Sequence, residues 1–185
     1  MSERDLDPLR LDMAALAKAA GELGGKWPLG QFVRLAGSVV RDAAPSDQVE
    51  VSWRARGELR PMRGGEAEVW LHVAASTNLT VECQRCLRGV DVALSIERRF
   101  LFVHGEDTAA QLDADSEDDV MALTRALDLG ELIEDELLLA LPLVPRHDVC
   151  PIPLQAPLTE SQGPDFDKPN PFAVLAVLKP SGRSN

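Results

Sequence analysis

The spacing of apolar residues changes twice along the chain, and each change marks a change of structure. Between residues 11 and 23, Met13, Leu16, Ala20 and Leu23 recur at helical spacing, which predicts an alanine-rich helix broken by Gly24-Gly25 and Pro28. A second helix is predicted from Leu29 to Arg41, because Phe32, Leu35, Ala36, Val39 and Val40 form one apolar stripe. The period then falls to two. Val49, Val51, Trp53 and Ala55 alternate with polar residues, and Pro61-Met62-Arg63-Gly64-Gly65 reads as a turn. Ala67, Val69, Leu71, Val73 and Ala75 follow as a second strand, and Leu79, Val81 and Cys83 as a third. Val90, Val92, Leu94, Ile96, Phe100 and Phe102 make a fourth. Short turns without helical crossovers predict an antiparallel meander. His72 lies opposite Leu71 and Val73 and reads as a surface residue.

Beyond the strands the periodicity lapses. Residues 104–117 show none and read as an exposed acidic loop, while Val120 to Leu129 suits either a strand or a helix. A helix resumes at about Leu129, with Asp128 as its cap and Glu131 completing a capping-box variant. Leu132, Ile133, Leu137, Ala140 and Leu141 form its inward side, Glu134-Asp135 its solvent side, and Pro142 and Pro145 stop it. Seven prolines from Pro142 to Pro169 predict a long loop, and Asn170-Pro171 opens a short C-terminal helix over Phe172 to Leu178. The fold class is therefore α+β in one domain, 1–185. Helices occupy 1–45, and a central antiparallel β-meander, curled or barrel-like, occupies 46–103. An acidic loop follows at 104–119, then a helix, a Pro-rich loop and the C-terminal helix over 120–185.

Composition narrows the function classes. The longest nearly apolar run, Leu137 to Pro145, is far short of the ~20 residues that cross a bilayer. The N-terminus is acidic and does not resemble a signal peptide. Three cysteines make no disulfide framework, so a reduced, cytoplasmic protein is expected. There is no glycine-rich phosphate loop, no nucleophile–base pattern and no tyrosine, so no catalytic residue is assigned and an enzyme is not expected.

Charge is distributed unevenly. Residues 1–103 hold 14 basic and 14 acidic side chains, whereas residues 104–185 hold 5 and 16, which accounts for the whole net charge of −11. Seven of those acids lie between Glu106 and Asp119. In residues 51–103 every cation is arginine, including Arg54, Arg56, Arg85, Arg88, Arg98 and Arg99. Arginine suits bidentate contact with phosphate, which makes these six RNA-binding candidates; the plainer alternative is a solvated sheet face. Overall acidity argues against tight nonspecific nucleic-acid binding, and neither DNA nor a membrane is expected as a partner.

The remaining chemistry lies in two clauses, Cys83-Gln84-Arg85-Cys86 and His147-Asp148-Val149-Cys150. A C-x-x-C on a hairpin turn is the half-site of a zinc knuckle, and His147 and Cys150 offer the two further ligands of a Cys3His zinc site. The alternatives are a free thiol pair or a redox pair with a bystander.

Three stretches resemble the bacterial YceD family. They are Val81-Glu82-Cys83-Gln84-Arg85-Cys86, the run from Ile133-Glu134-Asp135-Glu136-Leu137 through Leu141-Pro142-Leu143-Val144-Pro145 to His147-Asp148, and Lys168-Pro169-Asn170-Pro171-Phe172 through Lys179. The resemblance covers nearly the full chain in the same order. It implies a non-enzymatic factor for accumulation of 23S ribosomal RNA, acting in its synthesis, processing or stability. It also implies precursor or mature 23S rRNA, large-subunit ribosomal proteins or rRNA-processing proteins as partners. Other branches of the family carry further cysteines after the Leu-Pro segment that would complete a zinc site with the C-x-x-C; here Cys150 alone remains. Two other functions stay open: an acidic protein–protein adapter that binds basic ribosomal proteins without touching RNA, and a thiol-disulfide oxidoreductase using Cys83 and Cys86. The hairpin location weighs against the last, because redox cysteines usually occupy a helix N-terminus.

Overall fold

The period-two segments form a five-stranded sheet in the order β1-β2-β3-β4-β5, in a computed structural model that describes residues 6–40 and 44–151. The strands are β1 (Glu22–Pro28), β2 (Glu50–Arg60), β3 (Glu68–Glu82), β4 (Gly89–Val103) and β5 (Asp119–Ala122). The first four pair antiparallel, as the meander predicts, but the sheet does not close into the expected barrel: β1 and β5 remain its two edges. The described residues belong to one compact unit, Met1–Ile152. The expected C-terminal helix and the prolines from Pro153 onward lie outside the described residues.

Alternation along β2, β3 and β4 sends Val51, Ala55, Leu71, Val73, Ile96 and Phe100 to one face. There they share a core with Leu16 of helix α1 (Met13–Lys18), Leu35 of helix α2 (Val33–Ala36) and Ile133 and Leu137 of helix α4 (Leu129–Leu139). Helix α1 lies directly on β2 at Gly57, where a Cβ would come within 2.8 Å of the α1 backbone. The opposite face carries Arg54, Arg56, His72 and Arg99.

Several expectations are corrected by tertiary pairing. The first helix ends at Lys18, and Ala20 turns to a φ of +45°. The segment beyond it is strand β1, whose glycines lie flat against β2, Gly25 opposite Trp53. The second helix shrinks to a 3-10 turn, Leu29–Gln31, followed by the four residues of α2. Val39 bridges Val81 and the Val40 amide donates to Thr80 at 3.0 Å, so these valines cover the part of β3 that extends past β2. The second and third expected strands are one continuous strand, β3.

The acidic segment is also more ordered than its composition suggests. Helix α3 (Glu106–Asp113) fills much of it, with Ala109 buried and Glu106 and Asp107 in the first turn, where carboxylates favour the helix dipole. It serves as the crossover that a parallel pair requires, because β5 returns alongside β4 in parallel. The sheet is therefore mixed rather than wholly antiparallel. Helix α4 begins as expected, with Asp128 Oδ1 accepting from the Glu131 amide at 3.0 Å. Glu134, expected on its solvent side, is instead 8% exposed. Its carboxylate accepts the Arg34 and Leu35 amides at 2.7 and 3.1 Å and pairs with the Arg34 guanidinium at 2.9 Å, which caps α2.

Candidate metal centre and arginine face

The β3–β4 hairpin closes tightly enough to bring two thiols together. The Cys83 amide donates to the Arg88 carbonyl and the Leu87 amide to the Cys83 carbonyl, both at 2.8 Å. Leu87 takes the left-handed backbone, with φ +58°, that such a turn requires. Residues 145–150 dock against this turn through several bonds. The Gln84 amide donates to the Pro145 carbonyl at 2.8 Å, and Arg85 donates from its guanidinium to the carbonyls of His147 and Asp148.

Cys83, Cys86, His147 and Cys150 converge at this junction, their ligand atoms all within 4.8 Å of one another. Cys83 Sγ lies 4.0 Å from Cys150 Sγ, and Cys86 Sγ 3.5 Å from His147 Nδ1. A tetrahedron with Zn–S bonds of about 2.3 Å has S···S edges of about 3.8 Å, so this set fits zinc. The surrounding bonds fit as well. His147 Nε2 lies 2.9 Å from the Gly89 carbonyl, and donating there leaves Nδ1 bare and turned toward the thiols. Arg85 Nε donates to Cys150 Sγ at 3.1 Å and so places a cation beside the sulfur cluster. Burial pushes the Cys83 thiol up, but the Cys86 and Arg85 amides and His147 outweigh it and bring Cys83 down to about 5. Cys86 is raised by burial and by its neighbours Cys150 and Cys83. The cluster thus gathers three sulfurs and one imidazole nitrogen, the donor set of a closed structural site.

The six candidate arginines fall into different settings. Arg85 is engaged at the hairpin, and Arg88 is exposed on the same turn. Arg98 does not belong to the exposed sheet face: it is in register with Val73 on the helix-covered side, where its Nε donates to Glu136 Oε2 of α4 at 2.8 Å, although it borders a cleft farther along the sheet. Arg54, Arg56 and Arg99 share the open face and line that cleft, of about 710 Å³. Arg56, His72 and Arg99 fall in one cross-strand row, ten residues of β3 from the hairpin end at Glu82, or about 33 Å. His72 is a partly exposed residue on the face assigned to it, bonded to Glu58 at 2.8 Å. That bond and one from Arg60 hold the Glu58 carboxyl below its ordinary range.

Asp118 was not singled out by sequence reasoning. Its carboxylate accepts from Arg99 Nη2 at 2.7 Å. An acid in an acidic run has no distinguishing local signal, and only the parallel return of β5 brings it to β4.

Among the described residues no helix is long and apolar enough to cross a membrane. Residues 71–179 match the family model described as "Large ribosomal RNA subunit accumulation protein YceD". The chain is 31% identical over 175 residues to the large ribosomal RNA subunit accumulation protein YceD of Haemophilus influenzae, covering 93% of this chain and 95% of that one. No solved structure matches the chain.

Proposed function

The chain belongs to the YceD family, and from that premise we propose that it is a non-catalytic, cytoplasmic ribosome-biogenesis factor supporting synthesis, processing or stability of 23S rRNA. The observation that carries the RNA contact is the open sheet face, where Arg54, Arg56 and Arg99 line one cleft. Among the described residues, Arg54 has no carboxylate within salt-bridge distance, and the nearest to Arg56 is Glu58 at 3.9 Å. Guanidinium groups held on a rigid sheet without strong internal partners favour phosphate oxygens.

Zinc, when bound by Cys83, Cys86, His147 and Cys150, supplies a structural cross-link between the hairpin and residues 147–150. The role of this end is scaffolding. A redox role is disfavoured because the pair sits on a hairpin rather than at a helix N-terminus and Cys83 is fully buried, Cys86 being the partly exposed member. The adapter reading draws on the exposed acids of α3 and of the connection to β5, which would face a basic protein.

RNA binding measured against salt tests the proposal. The full chain is expected to bind a single-stranded 23S fragment with an affinity that falls with salt, by a log–log slope of about 0.7 per phosphate engaged. Absence of RNA binding at low salt would transfer the function to the adapter reading.

A further inference from the structure

The arginine cleft also holds acids: Glu22 of β1 lies in register with Arg56, Glu97 of β4 in the row of Arg54, and the remaining three form one wall. Its floor is formed by His72 and Ala74, and Arg54 and Arg56 stand on the β2 side. Across from them stand Arg99 and the acids Glu117, Asp118 and Asp119, at the end of the connection from α3 to β5. The contact that matters is Asp118 Oδ1 to Arg99 Nη2 at 2.7 Å.

This connection is held in place. The Asp118 amide donates to Ser116 Oγ at 3.0 Å, and Asp113 Oδ1 accepts from the Val120 amide at 2.9 Å. The next residue, Asp119, is already in register with Phe100 of β4, one position past Arg99. The Asp118 carboxylate is therefore presented to Arg99 by bonds on both sides of it, in the position a phosphate oxygen would take.

Resting on the RNA-contact reading above, the geometry points to the acidic connection as a built-in competitor for RNA. Asp118 occupies Arg99, and an RNA phosphodiester backbone engages that arginine by displacing it. The contact is weak enough to yield, because Arg99 is 55% exposed in its side chain, and an exposed ion pair shifts an equilibrium by up to about fivefold. Arg54 and Arg56 lie on the far side of the cleft, so an extended polyanion that engages them as well can offset the displacement. An isolated phosphate gains only one contact for the one it breaks. The device thus selects for continuous backbone over small anions.

Fluorescence anisotropy of the full chain with a labelled single-stranded RNA at low ionic strength provides the test. Asp118→Asn is expected to tighten binding about three- to fivefold. Asp115→Asn removes the same charge from the same connection without touching the contact and is expected to change affinity by less than about twofold. In an Arg99→Gln background the gain from Asp118→Asn should vanish. Equal effects of Asp118→Asn and Asp115→Asn would overturn the proposal, as would a gain that persists without Arg99. If the wild type binds RNA and Asp118→Asn leaves it unchanged, the competitor alone is lost. If neither binds RNA, or a polyglutamate peptide takes the cleft instead, the RNA reading falls and the competitor with it.

Discussion

The two ends of strand β4 use arginine in opposite ways. At the hairpin end, Arg85 is bonded to two carbonyls and a thiol, and its role is internal. Fourteen residues farther on, Arg99 faces an open cleft with Arg54 and Arg56 across from it, and the half-buried Asp118 carboxylate is its partner. Between these extremes Arg98 turns to Glu136, whose side chain is only 9% exposed. The same residue type is thus a structural bond or an available cation according to which partners the fold brings to it. Clusters of arginine in sequence say little about this until strand register and the neighbouring helix are known.

The contrast can be broken most forcefully at the hairpin. Cys83→Ser, or treatment with a chelator, is expected to lower bound zinc from about one equivalent to under about 0.1 per chain. Amide exchange should then accelerate at residues 83–89 and 146–150 and stay slow at residues 69–75, in the sheet centre. Protein purified without chelator that carries no zinc would remove the metal from the account and leave the hydrogen-bonded junction.

A smaller and more discriminating effect separates the arginines. Arg98→Gln leaves a mostly buried carboxylate without its charged partner and is expected to cost roughly 1–3 kcal/mol in denaturant unfolding. Arg54→Gln should lie within about 0.5 kcal/mol of the wild type. For RNA the order should reverse, with the Arg54→Gln, Arg56→Gln pair reducing the salt slope by about 1.4 and Arg98→Gln changing it less. Parallel effects of both substitutions on both measurements would erase the distinction between structural and available arginines.

The smallest expected effect is at Leu87. Its left-handed backbone suits glycine, and Leu87→Gly should change hairpin stability by no more than about 1 kcal/mol, in the stabilising direction, because the relieved strain exceeds the added chain entropy. Clear destabilisation would mean that the exposed leucine side chain contributes contacts of its own.

How far the sequence could be read depended on whether a local rule controlled each element. The alternation from Val69 to Val81 and from Val90 to Phe102 is local, and it located the hairpin and hence the paired cysteines. The cap at Asp128 is local too. Strand β1 was hidden because Gly24-Gly25 is a helix breaker by propensity, and only pairing with β2 makes it a strand. Helix α3 was hidden by its acids, and Glu134 by its periodicity, since the amides it caps belong to a helix 100 positions earlier in the chain. The meeting of Cys83 and Cys86 with His147 and Cys150 could be suspected from residue type, but the bonds of Arg85 that hold the two clauses together could not. Strand parity does separate Arg98, on the face of Ile96 and Phe100, from Arg99 on the other face, but it could not reveal the partner each one finds, Glu136 and Asp118.

The central claim is that the open arginine face carries the function and the hairpin end supports it. The direct measurement is the ratio of mature 23S to 16S rRNA in cells lacking this chain, complemented with folded variants at equal abundance. The account predicts that the wild type restores 23S and that the Arg54→Gln, Arg56→Gln pair does not. Full restoration by that pair would contradict it.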